Sequence, residues 1–326
     1  MVGFLICAVI IFMAGKRLSY YGDVIADLTG LGKAWIGLIL MASVTSLPEL
    51  MVGISSSAVV GSPDLAVGDI MGSCAFNLCI LAAMDAFVPS HKSIFSLAST
   101  SHILAISLGI MLFAVVGAAL FLPAEIVVLP WLGVTSILFL VIYVISIRLL
   151  YSYSQKNQTA DNGPEHTHTI SLKRAAGMYA LFAVVVIAAA LFLPHFAEQV
   201  AEQTGLGKSF VGTLFLAVST SLPEIAVSLA AVRMGSIDMS IGNLVGSNIF
   251  NIAILALDDV FYTKGHLLKD ASDSNMISVL ATIIMSAIAI VGLTYRPISK
   301  RFLLGWDALL MLIVYSTGLV LLYQYR

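Results

Sequence analysis

Residues 20–50 and 194–225 are two versions of one segment. YYGDVIADLTGLGKAWIGLILMASVTSLPEL aligns with PHFAEQVAEQTGLGKSFVGTLFLAVSTSLPEI at a constant offset of 175 from Asp23/Glu198 through Glu49/Glu224, so both TGLGK and both TSLPE blocks coincide. Downstream, VGDIMGSCAFNLCILAAMDAF at 67–87 matches IGNLVGSNIFNIAILALDDVF at 241–261 at an offset of 174. Such self-similarity fixes the architecture before any motif inside it is interpreted. Each copy carries five apolar runs of bilayer-spanning length, an odd number. The second copy therefore enters the membrane upside down relative to the first. This is the inverted-repeat plan of secondary transporters, which places an ion or substrate site near the midplane where the copies meet.

Windows of roughly 20 residues put the ten spans at about 2–15 (extending towards 27), 34–58, 65–87, 102–121, 127–150, 175–194, 209–232, 239–262, 274–294 and 303–323. Composition agrees, with 60% apolar and 10% charged residues against about 25% charged in soluble domains. The expected fold is an all-α polytopic membrane protein of ten transmembrane helices in two inverted five-helix repeats. Residues 1–150 form the first repeat, 151–174 a linker and 175–326 the second repeat. The first apolar run is read as a retained helix, because Lys16 and Arg17 follow it, whereas a signal peptide carries its positive charge ahead. With both termini outside, 12 of the 16 basic residues fall in cytoplasmic loops, leaving Lys208, Lys264, Lys269 and Arg326 outside. The polar stretch SYSQKNQTADNGPEHTHTI at 152–170 is then a cytoplasmic linker. A net charge of −2 with scattered basic clusters gives no nucleic-acid surface. Cys7, Cys74 and Cys79 lie in apolar segments and read as packing residues.

Proline and glutamate inside an apolar span need a reason. Pro48 and Pro223 each remove a backbone donor and clash with the preceding turn, so each helix should break just before them. Carbonyls freed around Val44–Leu47 and Ser219–Leu222 are tolerated at membrane depth only within protein or along an aqueous cavity. An intramembrane acid is costly and is a functional candidate by default, and here Glu49 and Glu224 are related by the repeat. On the next helix of each copy, Asp69, Ser73 and Asn77 share one stripe at i, i+4, i+8, as do Asn243, Ser247 and Asn251. Gly68, Gly72, Gly242 and Gly246 would allow close helix approach. Carboxylates, amide oxygens and backbone carbonyls near Thr45 and Thr220 form a hard-cation donor set of the kind Ca²⁺ takes. A zinc or copper site would call for a Cys/His cluster.

The two TSLPE blocks, GSCAFN at 72–77, GSNIFN at 246–251, the five-plus-five organisation and the central polar loop together resemble the sodium/calcium exchanger branch of the calcium/cation antiporters. The resemblance covers essentially the whole chain. It implies an antiporter that extrudes Ca²⁺ against an inward cation gradient, with the first and sixth helices sliding against a fixed core. It implies Ca²⁺ ligation by Glu49 and Glu224, completed at Asn77 and Asn251. Thr45, Ser46, Ser73, Thr220, Ser221 and Ser247 match positions that help to bind Na⁺. The partners implied are the transported Ca²⁺ and Na⁺ ions and the lipid bilayer, with no cofactor and a single chain as the working unit. A chain without a large insertion fits a prokaryotic inner membrane.

Three departures from the family pattern stand out. Asparagine occupies both 77 and 251, where one acid is usual; Val44 and Ser219 replace a common glycine; and Asp69 replaces a frequent asparagine. Two carboxylates balance one Ca²⁺ and equally two monovalent ions or two protons. Proton-coupled transport of Ca²⁺ or another divalent ion is therefore the rival reading, and Asp69 is expected to supply a third acid along the permeation path. The repeat-related Asp85 and Asp259 sit near helix ends and read as solvated interfacial acids, as does the adjacent Asp258. His166 and His168 lie in the linker and make a poor metal site. An intramembrane hydrolase is disfavoured by the lack of a His paired with a Ser, and a channel by the inverted repeat.

Overall fold

The computed structural model describes residues 2–88, 92–121, 127–129, 132–157, 170–204, 218–296, 300 and 303–325. Within a bilayer a spanning segment can satisfy its backbone internally only as a helix or a closed barrel. Nine helices among the described residues are long and apolar enough to span: Val2–Thr29, Lys33–Val60, Pro63–Phe87, Ser101–Phe121, Val134–Lys156, Leu172–Leu193, Ile237–Phe261, Asn275–Tyr295 and Trp306–Gln324. A tenth, seventh in chain order, is described from residue 218 and continues as Leu222–Arg233; its predicted beginning at 209–217 lies outside the described residues. The fold is all-α, apart from a short antiparallel ladder pairing Val127 with Gly133 and Leu129 with Leu132.

That ladder displaces the predicted start of the fifth span from 127 to Val134. Pro130 is the reason, since the residue ahead of a proline is pushed out of helical ψ. At its other end the same helix continues to Asn157, into the polar stretch read as a loop. The repeat is visible in the helix boundaries. The first helix ends at Thr29, in the first TGLGK block, and the sixth is helical up to its counterpart Thr204, 175 residues on and the last described residue before 218. The third begins at Pro63 and the eighth at Ile237, 174 apart. Between them, Gly61 (φ 67°) and Gly235 (φ 82°) take the left-handed turn that closes the second and seventh spans.

The residues group into two compact units, Met1–Pro48 with Leu150–Gly246, and Glu49–Leu149 with Ser247–Arg326. In the first, the opening helix packs on the sixth span and on Leu222–Arg233. Leu18, Val24, Met41, Val227 and Met239 fill its core, and Ser19 Oγ donates to the Val227 carbonyl at 2.8 Å. β-carbons at Gly242 and Gly246 would overlap the Ala34 and Leu38 carbonyls, so these glycines do set a close helix crossing. Gly68 and Gly72 have no such backbone neighbour among the described residues; the stretch repeat-related to Ala34–Leu38, 209–213, lies outside them.

In the second unit the third, fourth, ninth and tenth spans pack together. Two four-residue helices, Ile94–Leu97 and Leu267–Asp270, follow the third and eighth spans. Asp85, fully buried, accepts from the Ile94 amide at 2.7 Å and the Gly305 amide at 2.6 Å, and lies 3.7 Å from Lys300 Nζ. Lys300 also donates to the Asp85 carbonyl. Asp259, 3% exposed, accepts from the Leu267 amide at 2.9 Å and Ser136 Oγ at 2.6 Å. These acids are buried fasteners, not solvated interfacial groups, because neighbouring chain folds over them and supplies amide donors that water would otherwise provide.

Candidate ion-binding site

Both TSLPE segments break in one way. Proline at 48 and 223 withholds the donors that would reach the Val44 and Ser219 carbonyls. Ser46 (φ −88°, ψ 6°) and Ser221 (φ −86°, ψ 8°) leave the helical region, and helix resumes at Leu47 and Leu222. Glu49 and Glu224 thereby occupy the first turn of a new helix, where the amide end of the dipole favours an anion. Each is 1% exposed. π-helical turns at Ile36–Met41 and Ser55–Val60 lie on either side of the first break, a feature frequent at functional sites.

Within the first compact unit, Thr45, Ser46, Ser219, Thr220, Ser221, Ser228 and Asn243 are all fully buried. Ser46 Oγ donates to Glu224 Oε1 at 3.4 Å. Thr45 Oγ1 lies 3.3 Å from Asn243 Oδ1 and 3.4 Å from the Ala42 carbonyl. The Asn243 amide nitrogen donates to Ser228 Oγ at 3.0 Å. Asn243 thus clamps the first break to the helix that carries Glu224. Ser228 does not stand out in the sequence, although it lies one turn beyond Glu224 on the same face.

Within the second unit, Glu49, Ser73, Asn77, Ser247 and Asn251 are all at most 1% exposed. Asn77 Nδ2 donates to Asn248 Oδ1 at 3.0 Å, and Asn248 Nδ2 to the Cys74 carbonyl at 3.2 Å. Asn251 Nδ2 donates to Cys74 Sγ at 3.8 Å, and that thiol in turn donates to the Asn248 carbonyl at 3.8 Å. Asn248 and Cys74 occupy one repeat position and form this clasp; the sequence pattern places neither at the site. The clasp consumes the nitrogens of Asn77 and Asn251 and fixes which way each amide points. Their oxygens, Asn77 Oδ1 and Asn251 Oδ1, are buried without a hydrogen-bond partner. Leaving a buried polar atom unsatisfied costs about 1–3 kcal/mol, so two related orphans point to a ligand. Cys74 also lies within electrostatic range of Glu49 and Asp69.

Asp69 is seven residues into a helix whose own first-turn acid is Asp64. Asp64 accepts from the Ser272 amide at 2.6 Å and from Asn275 at 3.3 Å. Asp69 is therefore no end cap, and its Oδ2 is buried without a partner. His166 and His168 lie outside the described residues.

The family model described as sodium/calcium exchanger protein matches residues 1–151 and 174–324. An uncharacterized membrane protein of Methanocaldococcus jannaschii is 27% identical over 323 residues, 95% of this chain and 96% of that protein. A sodium/calcium exchanger of Methanosarcina acetivorans is 32% identical over 149 residues, 44% of this chain and 40% of its own length. Among solved structures, the sodium-calcium exchanger NCX_Mj soaked with Na⁺ and Sr²⁺ matches with a TM-score of 0.76 at 22% identity, over 98% of this chain and 96% of that one. This last likeness is one of fold. Since the family model covers both halves, with a TSLPE break and a GSxxFN helix in each, the chain belongs to the sodium/calcium exchanger family.

Proposed function

We propose that the chain is a secondary antiporter that exchanges Ca²⁺ for Na⁺ by alternating access and carries out no chemical catalysis. Glu49 and Glu224 supply charged oxygens, and Asn77 and Asn251 supply amide oxygens, the mixture that Ca²⁺ accepts in its coordination of 6–8 oxygens. Thr45, Ser46, Ser73, Thr220, Ser221 and Ser247 supply hydroxyl and carbonyl oxygens for Na⁺, and Asp69 belongs to the permeation path. The observation that carries this reading is the orphaned pair Asn77 Oδ1 and Asn251 Oδ1, whose nitrogens are already committed. The membrane is a prokaryotic inner membrane, with both termini outside and the central linker cytoplasmic.

The neutral asparagines also favour a second reading. With two carboxylates the donor set carries a charge of −2, which two protons neutralise as well as one Ca²⁺, so H⁺ coupling is the alternative. Uptake of ⁴⁵Ca²⁺ into proteoliposomes separates the two. An outward Na⁺ gradient at equal pH drives uptake if Na⁺ is the counter-ion. Uptake that follows only a pH gradient would assign the coupling to protons.

A further inference from the structure

We propose that Asp69 and Asp258, with the Ser57 hydroxyl, form a second divalent-cation site in the compact unit Glu49–Leu149/Ser247–Arg326, distinct from the layer holding Glu49, Asn77 and Asn251. All three residues lie in that unit. Asp258 is fully buried, and neither of its carboxylate oxygens has a hydrogen-bond partner. Asp69 Oδ2 and Ser57 Oγ are likewise buried and unpartnered. No basic side chain pairs with either acid among the described residues. Two unpaired carboxylates inside a membrane protein are costly, and a divalent cation would neutralise both.

Register brings the groups to one level. The bonds Asn77–Asn248 and Asn251–Cys74 show the third and eighth spans running antiparallel. Asp69 precedes Asn77 by eight residues and Asp258 follows Asn251 by seven, so each lies roughly 10–12 Å along its helix from the asparagine layer. Ser57, eight residues after Glu49, is displaced by about 12 Å along the second span. The two acids interact electrostatically. Gly53, one turn before Ser57, is where the second span meets Asp258: a β-carbon there would overlap that carboxylate.

The repeat supplies a control. The positions equivalent to Asp69, Gly53 and Asp258 in the other copy are Asn243, Ser228 and Met84. There Asn243 donates to Ser228 at 3.0 Å and also meets Thr45, so the polar groups satisfy one another. In the first copy Asp69 replaces the amide and Gly53 deletes the hydroxyl, while in the second copy Asp258 stands where the first has Met84. Each change adds charge or removes a partner, and a bound divalent cation would restore the balance and supply the missing contacts. Asp69 keeps partial exposure while Asp258 has none, which gives the site an open edge and a buried floor.

The identity of the cation as Ca²⁺ rests on the exchanger reading; the site itself does not. Equilibrium binding of ⁴⁵Ca²⁺ to the purified full-length protein, in Na⁺-free buffer, tests both. Glu49→Gln protein should retain a Ca²⁺ site that Glu49→Gln/Asp258→Asn weakens at least tenfold and Glu49→Gln/Ser57→Ala weakens several-fold. Identical binding curves for Glu49→Gln with and without these second changes, in protein that stays monodisperse, would overturn the inference while leaving the exchanger reading intact. An Asp258-sensitive component without a Glu49-sensitive one would uphold the inference and sink the reading. Binding sensitive to neither would overturn both.

Discussion

Asn77 and Asn251 divide their two ends between structure and ligand. Each nitrogen holds the third and eighth spans together while each oxygen is left over. Replacing either by alanine should raise the Ca²⁺ concentration for half-maximal uptake about tenfold, equivalent to roughly 1.4 kcal/mol of binding, measured as concentration-dependent ⁴⁵Ca²⁺ uptake. The stripe of Asn and Ser residues is legible from spacing alone, because i, i+4, i+8 must share a helix face. Which atom of each amide is spent on packing is not, since that depends on the partner helix. The same gap misassigns Asp85 and Asp259. Position near a helix end suggests water, but the donors that bury them come from Ile94, Gly305 and Leu267, which sequence proximity does not identify as neighbours. Asp85→Ala should leave Lys300, whose side chain is 1% exposed, as an uncompensated buried charge and cost roughly 3–5 kcal/mol, seen as a lowered unfolding transition of the detergent-solubilised protein.

Among the helices, the two breaks follow from proline chemistry and can be placed to within a residue. Pro48 and Pro223 forbid continuation, and helix restarts one residue ahead of each, setting a glutamate in a fresh first turn. The fifth span is less legible because apolar content continues through Pro130 into the ladder at Val127–Gly133, where hydropathy and backbone preference disagree. Close crossing is readable as a glycine pattern, yet the structure assigns it to Gly242 and Gly246 against Ala34 and Leu38. Gly246→Ala would force a methyl into the Leu38 carbonyl and should destabilise the protein by about 1–3 kcal/mol, with thermal unfolding as the readout. Gly177→Ala serves as the comparison: a β-carbon at that position would meet nothing within 4 Å among the described residues, so the transition should change little.

Across the whole chain, the repeat decides most of what can be known in advance. Matching boundaries at Ser46 and Ser221 and at Pro63 and Ile237 extend the sequence offset into three dimensions. The proposed orientation follows from the distribution of basic residues, 12 of 16 on one side. Asn162→Cys, in a variant lacking Cys7, Cys74 and Cys79, should react with a membrane-impermeant maleimide only after right-side-out vesicles are opened; labelling of intact vesicles would invert the topology. In the proposed mechanism the two repeat-related glutamates carry the exchanged ion. Na⁺-gradient-driven ⁴⁵Ca²⁺ uptake by proteoliposomes containing wild-type, Glu49→Gln or Glu224→Gln protein at matched incorporation tests this without intermediate steps. Uptake by the wild type and background flux from both variants is expected; wild-type rates from either variant would contradict the assignment.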